Sequence, residues 1–336
     1  MVDNIHVLFA LHGLSYLTLE EKLKLLKEFP TEASFTKLTR YETEWFLGRR
    51  LRCRSFNMAE MLEKARRDRE NMETSGIHFA VYGSQSYPPL LKEIYDPPLV
   101  LFWKGTLPPE NVPVLSVVGT RKPSLEADRS AFSLGMDAVR GDIPLVSGMA
   151  AGIDGAAHKG ALALHGRTWA VLGTGCDRPY PSSHRSMAAD IITKGGGLIS
   201  EFFPGTAPAR YNFPKRNRLI SGLSTHIVIV QAPRRSGALY TADYGLDQGR
   251  EVFVHASGLY GNGCQGTVKL AEQGATVLNT LKDIFPHIPD PFRSMQESYG
   301  LSGGRTDDAA HFASFMLREE IKGSLVFYKG RTQIDE

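Results

Sequence analysis

Residues 114–152 read VLSVVGTRKPSLEADRSAFSLGMDAVRGDIPLVSGMAAG. An apolar run, Val114–Gly119, stops at a glycine. A helical pattern follows from Ser124 to Arg140, and a second apolar run, Ile143–Gly148, again stops at a glycine. Runs this short, alternating with helical stretches, specify parallel strands joined by crossover helices. The unit then recurs. Thr168–Gly173, Gly197–Glu201, His226–Val230 and Glu251–His255 read as further strands, with Ala275–Leu278 as a last one. Helices are expected over 154–165, 183–194, 217–223, 238–248 and 269–273. Continuous apolar strands need cover on both sides, so the chain is α/β, with a mostly parallel sheet and helices on both faces.

Upstream, the texture is helical. LTLEEKLKLLKEF places Leu19, Leu23 and Leu26 at helical spacing, and Thr18 with Glu21 forms a capping-box pattern. Two more helices are expected over 43–51 and 57–73. Together they make a small all-helical domain over residues 1–75, of the SAM-like or helix-hairpin-helix-like kind. RRLRCR at 49–54 is locally basic; it is a solvated helix face or a secondary nucleic-acid contact. Residues 77–82 and 100–102 read as strands among proline pairs at 88–89, 97–98 and 108–109. They are too rich in aromatic and aliphatic residues for a flexible linker and are expected to extend the main sheet. The principal domain therefore covers 76–285. Residues 286–336 are expected to hold a linker and a short C-terminal element, one helix with a strand or hairpin, which does not clearly match a winged helix.

The chain has 336 residues, 42% apolar, enough for about two domains with a substantial core. Cys53, Cys176 and Cys264 form neither a CxxC pair nor a disulfide framework, which points to a reducing compartment. The sequence shows no signal-peptide pattern and no apolar stretch of membrane-spanning length, so a cytoplasmic location is expected. A net charge of +3 is only weakly basic, and any nucleic-acid contact must come from a local patch.

Ligands of such sheets sit beyond the C-terminal ends of the strands. The loops there are Gly119–Lys122, Ser147–Asp154, Gly173–Arg178, Ser200–Glu201 and Gln231–Gly237. None carries a dinucleotide fingerprint or a P-loop. Gly119, Thr120, Arg121 and Lys122 offer a tight turn, a hydroxyl and two cations, with backbone N–H groups at a helix start for a phosphate. Gly148 permits close backbone approach. Asp154 fits a helix N-cap, with His158 on the same face as a packed or hydrogen-bonded histidine, or as its acid/base partner. Cys176 is an unsupported nucleophile. Arg234, Ser236 and Gly237 open a second helix as another anion seat. The densest signal is YNFPKRNRLISG at 211–222. Lys215, Arg216, Asn217 and Arg218 follow Tyr211 and Phe213, a pairing of cations with stacking surfaces that suits unpaired bases. Lys215 and Arg218, three apart, share a face if the run is helical, and Arg216 then points elsewhere, toward an acidic partner such as Glu201. The structural alternatives are a buried Phe213 and arginines that order loops.

These loops together closely resemble the bacterial DNA-processing protein family called DprA or Smf. The matching segments are VVGTRKPS (117–124), LVSGMAAGIDGAAHKGAL (145–162), VLGTGCDRPYP (171–181), LISEFFPG (198–205), FPKRNRLISGLS (213–224), SGALYTA (236–242) and GREVFVHASG (249–258). The resemblance implies an extended Rossmann-like domain that binds single-stranded DNA, protects it during natural transformation, loads the RecA recombinase and works as a homodimer. It implies no catalysis and no cofactor. Thr120 stands where the family usually has Ser, Ala151 where many members have Arg, and Gln231 where Glu is usual. The rival reading is a nucleotide hydrolase of the phosphoribohydrolase-like fold, with Glu201 or Asp154 as its carboxylate; its P-G-G-x-G-T-x-x-E motif has no counterpart here.

Overall fold

The computed structural model describes residues 5–53, 55–289, 325–328 and 331–334. The helical layer contains α1 (Ile5–Gly13), α2 (Leu19–Glu28), α3 (Glu32–Thr36), α4 (Arg40–Leu47) and α5 (Met58–Ser75). Thr18, Thr31 and Thr39 each cap the next helix in a capping box. The Thr39 cap starts α4 three residues earlier than the apolar spacing predicts. Helix α1 has no amphipathic period to read, because it is apolar nearly all round and buries Val7–Leu11.

Nine strands form the main sheet: β1 (His78–Val81), β2 (Val100–Gly105), β3 (Leu115–Val118), β4 (Leu145–Ser147), β5 (Thr168–Val171), β6 (Gly197–Ser200), β7 (His226–Ile229), β8 (Glu251–His255) and β9 (Thr276–Leu278). Their order is β1-β2-β6-β5-β4-β3-β7-β8-β9. β1 and β2 extend the sheet as expected, and they do so as antiparallel additions at the β6 edge; the other neighbours pair in parallel. A four-residue helix, α6 (Pro89–Lys92), fits between the proline pairs.

Crossover helices cover both faces. On one side α7 (Leu125–Arg140) and α8 (Ile153–Ala163) bury Ala127, Ala131, Ala157 and Ala161 against Leu115, Val117, Leu145 and Val228. Helix α9 (Arg185–Thr193) continues that layer over Ala170, Leu172 and Leu198. On the other side α10 (Asn212–Gly222) and α11 (Gly237–Asp247) set Leu219, Ile220, Ala238 and Ala242 on Val146, Val171, Ile199 and Ile229. The central strands β3–β7 thus alternate their side chains between two covered layers. Helix α12 (Gln265–Glu272) precedes β9.

Helix α10 begins at Asn212, five residues before the helix expected over 217–223. Pro214 lies in its first turn, where no backbone N–H is needed, so it does not break the helix. The basic run is therefore helical throughout. Near the chain's end, β10 (Leu325–Tyr328) and β11 (Arg331–Ile334) pair as an antiparallel hairpin, one of the two alternatives, strand or hairpin, expected there. The linker and helix expected between 290 and 322 lie outside the described residues.

The helical layer does not stand apart from the sheet. Phe9 packs edge-on against Phe79, Phe102 and Phe203, with ring centroids 5.2, 5.9 and 5.6 Å away. His12 accepts from Val100 N–H at Nδ1 (3.2 Å), so its proton sits on Nε2 and is donated to the Glu201 carbonyl (2.8 Å). Burial, aided by the charge of Lys22, lowers the His12 pKa to about 3. Burial, aided by His184, does the same for His158, whose Nδ1 lies 2.8 Å from the Thr168 hydroxyl.

Two outcomes follow. Phe9→Ala lowers unfolding stability by about 3–5 kcal/mol in urea titrations, and Phe9→Leu by clearly less. Both histidines are neutral when folded and take up a proton near pH 6.5 when unfolded. Their contribution is complete above about pH 6.5 and is lost as pH falls toward 3. The urea midpoint should fall over that window, and His12→Gln should flatten its slope; an unchanged slope would refute the assignment.

Candidate nucleic-acid interface

The chain order reverses at β3: β4, β5 and β6 extend to one side, β7, β8 and β9 to the other. The loops that leave β3 and β7 consequently face each other across a switch point. Gln231 joins them. Its carbonyl accepts from Thr120 N–H (2.7 Å), its side-chain oxygen from Ser124 N–H (2.8 Å), and its amide donates to the Asn262 carbonyl (3.0 Å). A glutamate in its place would accept but could not donate to Asn262. Lys122 N–H bonds the Thr120 hydroxyl (3.2 Å). The N–H groups of Thr120, Lys122 and Ser124 are thus engaged within the protein. The turn instead presents the exposed side chains of Arg121 and Lys122. Gly119 is required by packing: a Cβ there would lie 2.6 Å from Ile153 Cγ1 and 2.9 Å from the Gln231 carbonyl.

The three cations of the basic run separate. Arg216 is buried, and its Nη1 donates to the carbonyls of Gly148 (2.7 Å) and Val171. Burial lowers its pKa to about 10 against the pull of Asp154. Asp154 is buried beside it. Burial raises the carboxyl pKa, while Arg216 and the N–H groups of Ala150, Gly119 and Gly148 act in the opposite direction. Gly148 lies against both groups; a Cβ there would come 2.6 Å from Asp154 Oδ2 and 2.7 Å from Arg216 Nη2. Two expectations are corrected here. Asp154 is not the N-cap of α8, a position held by Gly152, and Arg216 does not reach Glu201.

The residue that reaches Glu201 is Arg218. Its Nη1 and Nη2 donate to the two Glu201 oxygens at 2.9 and 2.8 Å, and its Nε to Asp96 at 3.2 Å. Burial opposes its charge, but Glu201 and Asp96 outweigh burial and leave its pKa above the ordinary value. Lys215 approaches the same carboxylate at 3.0 Å from the rim, with its side chain 44% exposed. Asn217 is also buried and ties α10 to the start of α11 by donating to the Gly237 carbonyl (2.9 Å).

What faces outward is a different set. Phe213 is half-buried, with the Arg121 guanidinium over its ring at 5.6 Å and the Tyr180 ring 5.5 Å away. Lys215 lies 5.8 Å from the Phe202 ring. Tyr211 is exposed beside them, and Arg234 and Gly237 are exposed at the start of α11, which the Ser236 hydroxyl caps. Tyr180 and Phe202 were not expected; only an aromatic in a strand-end loop marked them. Cys176 is buried near the carbonyls of Phe102 and Leu198, and burial pushes its thiol pKa up, against a nucleophilic role.

An open, mostly parallel sheet with a switch point defines a Rossmann-like α/β protein, whose inward-bound arginines and outward aromatic–cation pairs mark a candidate ligand face at the strand ends. Residues 78–289 match the family described as DNA recombination-mediator protein A, and the chain belongs to that family. It is 37% identical to protein Smf of Borreliella burgdorferi over 282 residues, covering 83% of this chain and 87% of that one. It is 40% identical to DNA processing protein DprA of Bacillus subtilis over 217 residues, 64% and 72% of the two chains. Among solved structures, DNA processing protein A of Streptococcus pneumoniae superposes with a TM-score of 0.66 at 28% identity, covering 86% of this chain and 99% of that one. The Helicobacter pylori protein, described for its single-stranded DNA binding mode, superposes at 0.54 with 25% identity, covering 62% and 94%.

The Arg218–Glu201 pair yields a stability outcome. Glu201→Ala leaves a buried guanidinium without its main partner and should cost about 3–5 kcal/mol in chemical denaturation. Adding Arg218→Ala should cost less than the sum of the single changes, because each removes the same interaction.

Proposed function

We propose that the face formed by Arg121, Lys122, Tyr180, Tyr211, Phe213 and Lys215 binds single-stranded DNA, with Arg234, Ser236 and Gly237 at its far side. The observation that supports this best is the Arg121–Phe213–Tyr180 cluster, which sets a guanidinium and two ring surfaces side by side. Stacking serves any unpaired base, and the cations follow the backbone without reading sequence. Duplex DNA keeps its bases stacked on each other and offers no ring face to Phe213. The description of the Helicobacter pylori relative supports the same ligand. Arg216, Asn217 and Arg218 support this face from beneath, and Gly119 and Gly148 allow the frame to close.

The motif resemblance supports the wider role: protection of incoming strands in natural transformation, delivery to the RecA recombinase, and action as a homodimer in the cytoplasm. The hydrolase alternative needs a carboxylate facing the ligand. Glu201 and Asp154 are both buried, and Glu201 is bound on two sides by cations.

Phe213→Ala should weaken binding of a thymidine oligomer by about 1–3 kcal/mol. Arg121→Ala should weaken it and reduce the log–log salt slope by about 0.7. Arg218→Ala should act on unfolding stability. Fluorescence anisotropy over a salt series measures the first two; equal affinity for duplex and single strand at matched salt would sink the proposal.

A further inference from the structure

Helix α4 carries two aromatic side chains that the core does not use. Tyr41 and Trp45 lie one turn apart and are 77% and 78% exposed. Their neighbours Phe46 and Leu47 pack against the core of the helical layer, so α4 already has its buried side. The helix is firmly ended by the Thr39 capping box and by Gly48, whose N–H bonds Trp45 O.

Beyond Gly48 the chain turns back along α4. Leu51 N–H donates to Glu44 (2.8 Å), and Arg40 donates to Leu51 O (2.7 Å). Leu51 is buried between Arg50 and Arg52, which are both exposed. The acidic residues of this region already have partners. Glu44 holds Arg40, Glu21 holds Arg49, and Glu42 caps Thr39. Among the described residues, no ion pair is formed by Arg50 or Arg52.

This face is linked to the interface described above. Arg49 anchors it to Glu21 and to the Tyr16 carbonyl on the helical layer. The residue after Glu21 is Lys22, which lines a cleft of about 210 Å³ together with Ser15, Asp96, Phe202 and Lys215. Lys22 donates to the His12 carbonyl (3.1 Å) and lies close enough to Lys215 to feel its charge. Glu21, which holds Arg49, and Lys22, which lines the cleft with Phe202 and Lys215, are thus consecutive residues of α2, and Arg50 follows Arg49 directly.

We propose that the Tyr41–Trp45 face of α4, with Arg50 and Arg52, is a second contact for the same single strand, reached across the cleft lined by Lys22 and Lys215. This rests on the function proposed above. Two exposed rings one turn apart, beside two exposed arginines that form no ion pair among the described residues, fit stacked bases and phosphates. They do not form the continuous apolar patch that a protein partner would cover.

The test uses the full chain and two thymidine oligomers, of about six and about 25 nucleotides, chosen to fill one contact or both. The variants are Tyr41→Ala with Trp45→Ala, and Arg50→Ala with Arg52→Ala. Both should bind the short oligomer as the unaltered protein does. For the long oligomer the aromatic variant should lose at least about tenfold in affinity. The arginine variant should lose about 1.4 in salt slope, about 0.7 for each phosphate contact. Trp45→Phe should recover most of the affinity. The long oligomer should quench emission in the unaltered protein and clearly less in Trp45→Phe, which retains Trp103 and the buried Trp169; the difference reads Trp45. Unchanged affinity for the long oligomer in both variants, an equal loss with the short one, or unquenched Trp45 would overturn the second contact and leave the first intact; the first outcome would point to a protein partner. Absence of binding to either oligomer by the unaltered protein would overturn both readings.

Discussion

Glu201 is where the parts of this protein meet. It follows β6 directly, its carbonyl accepts from His12 of the helical layer, and its carboxylate takes Arg218 and Lys215 of α10. Asp96, from the proline-rich segment, completes the cluster. Buried charges are tolerated only when paired and hydrogen-bonded, so these elements hold one another in place. The proposed ligand face inherits its rigidity from that arrangement, because α10 carries both the buried Arg218 and the outward Phe213.

A division of labour among cations follows. Arg216 and Arg218 are drawn inward by carbonyls and carboxylates, and their charge is largely compensated within the protein. Arg121, Lys122 and Lys215 stand at the rim, where their charge reaches solvent. A protein with a net charge of only +3 can thus still present a local cationic surface, provided that its acidic residues are engaged elsewhere. The neutral Gln231 fits the same logic, since it bridges a donor and an acceptor in two loops without adding charge beneath the site.

Much of this was legible in the chain. Short apolar runs ending in glycine located the parallel strands, the Thr18 capping box located α2, and the proline-rich segment was correctly placed as a sheet extension. The errors have local causes. The helix expected over 217–223 starts five residues earlier, because the first turn of a helix accepts Pro214. The helical phase separates Arg216 from Lys215 and Arg218, but the local sequence does not say which side meets Glu201; the structure gives that carboxylate to Arg218 and Lys215 and sends Arg216 to backbone carbonyls. Asp154 resembled a cap because its residue type suits one, yet the burial of Arg216 makes it a counter-charge.

The sequence by itself determined the α/β class, the strand-end loops and the residue types available there, because periodicity and turn chemistry are local properties. Only the tertiary structure decided which cations face inward, that Tyr180 joins Phe213 and Arg121, and that the helical layer shares its apolar interior with the sheet. Those outcomes depend on contacts between residues far apart in the chain. Burial and charge pairing select among side chains that look equivalent when read in order.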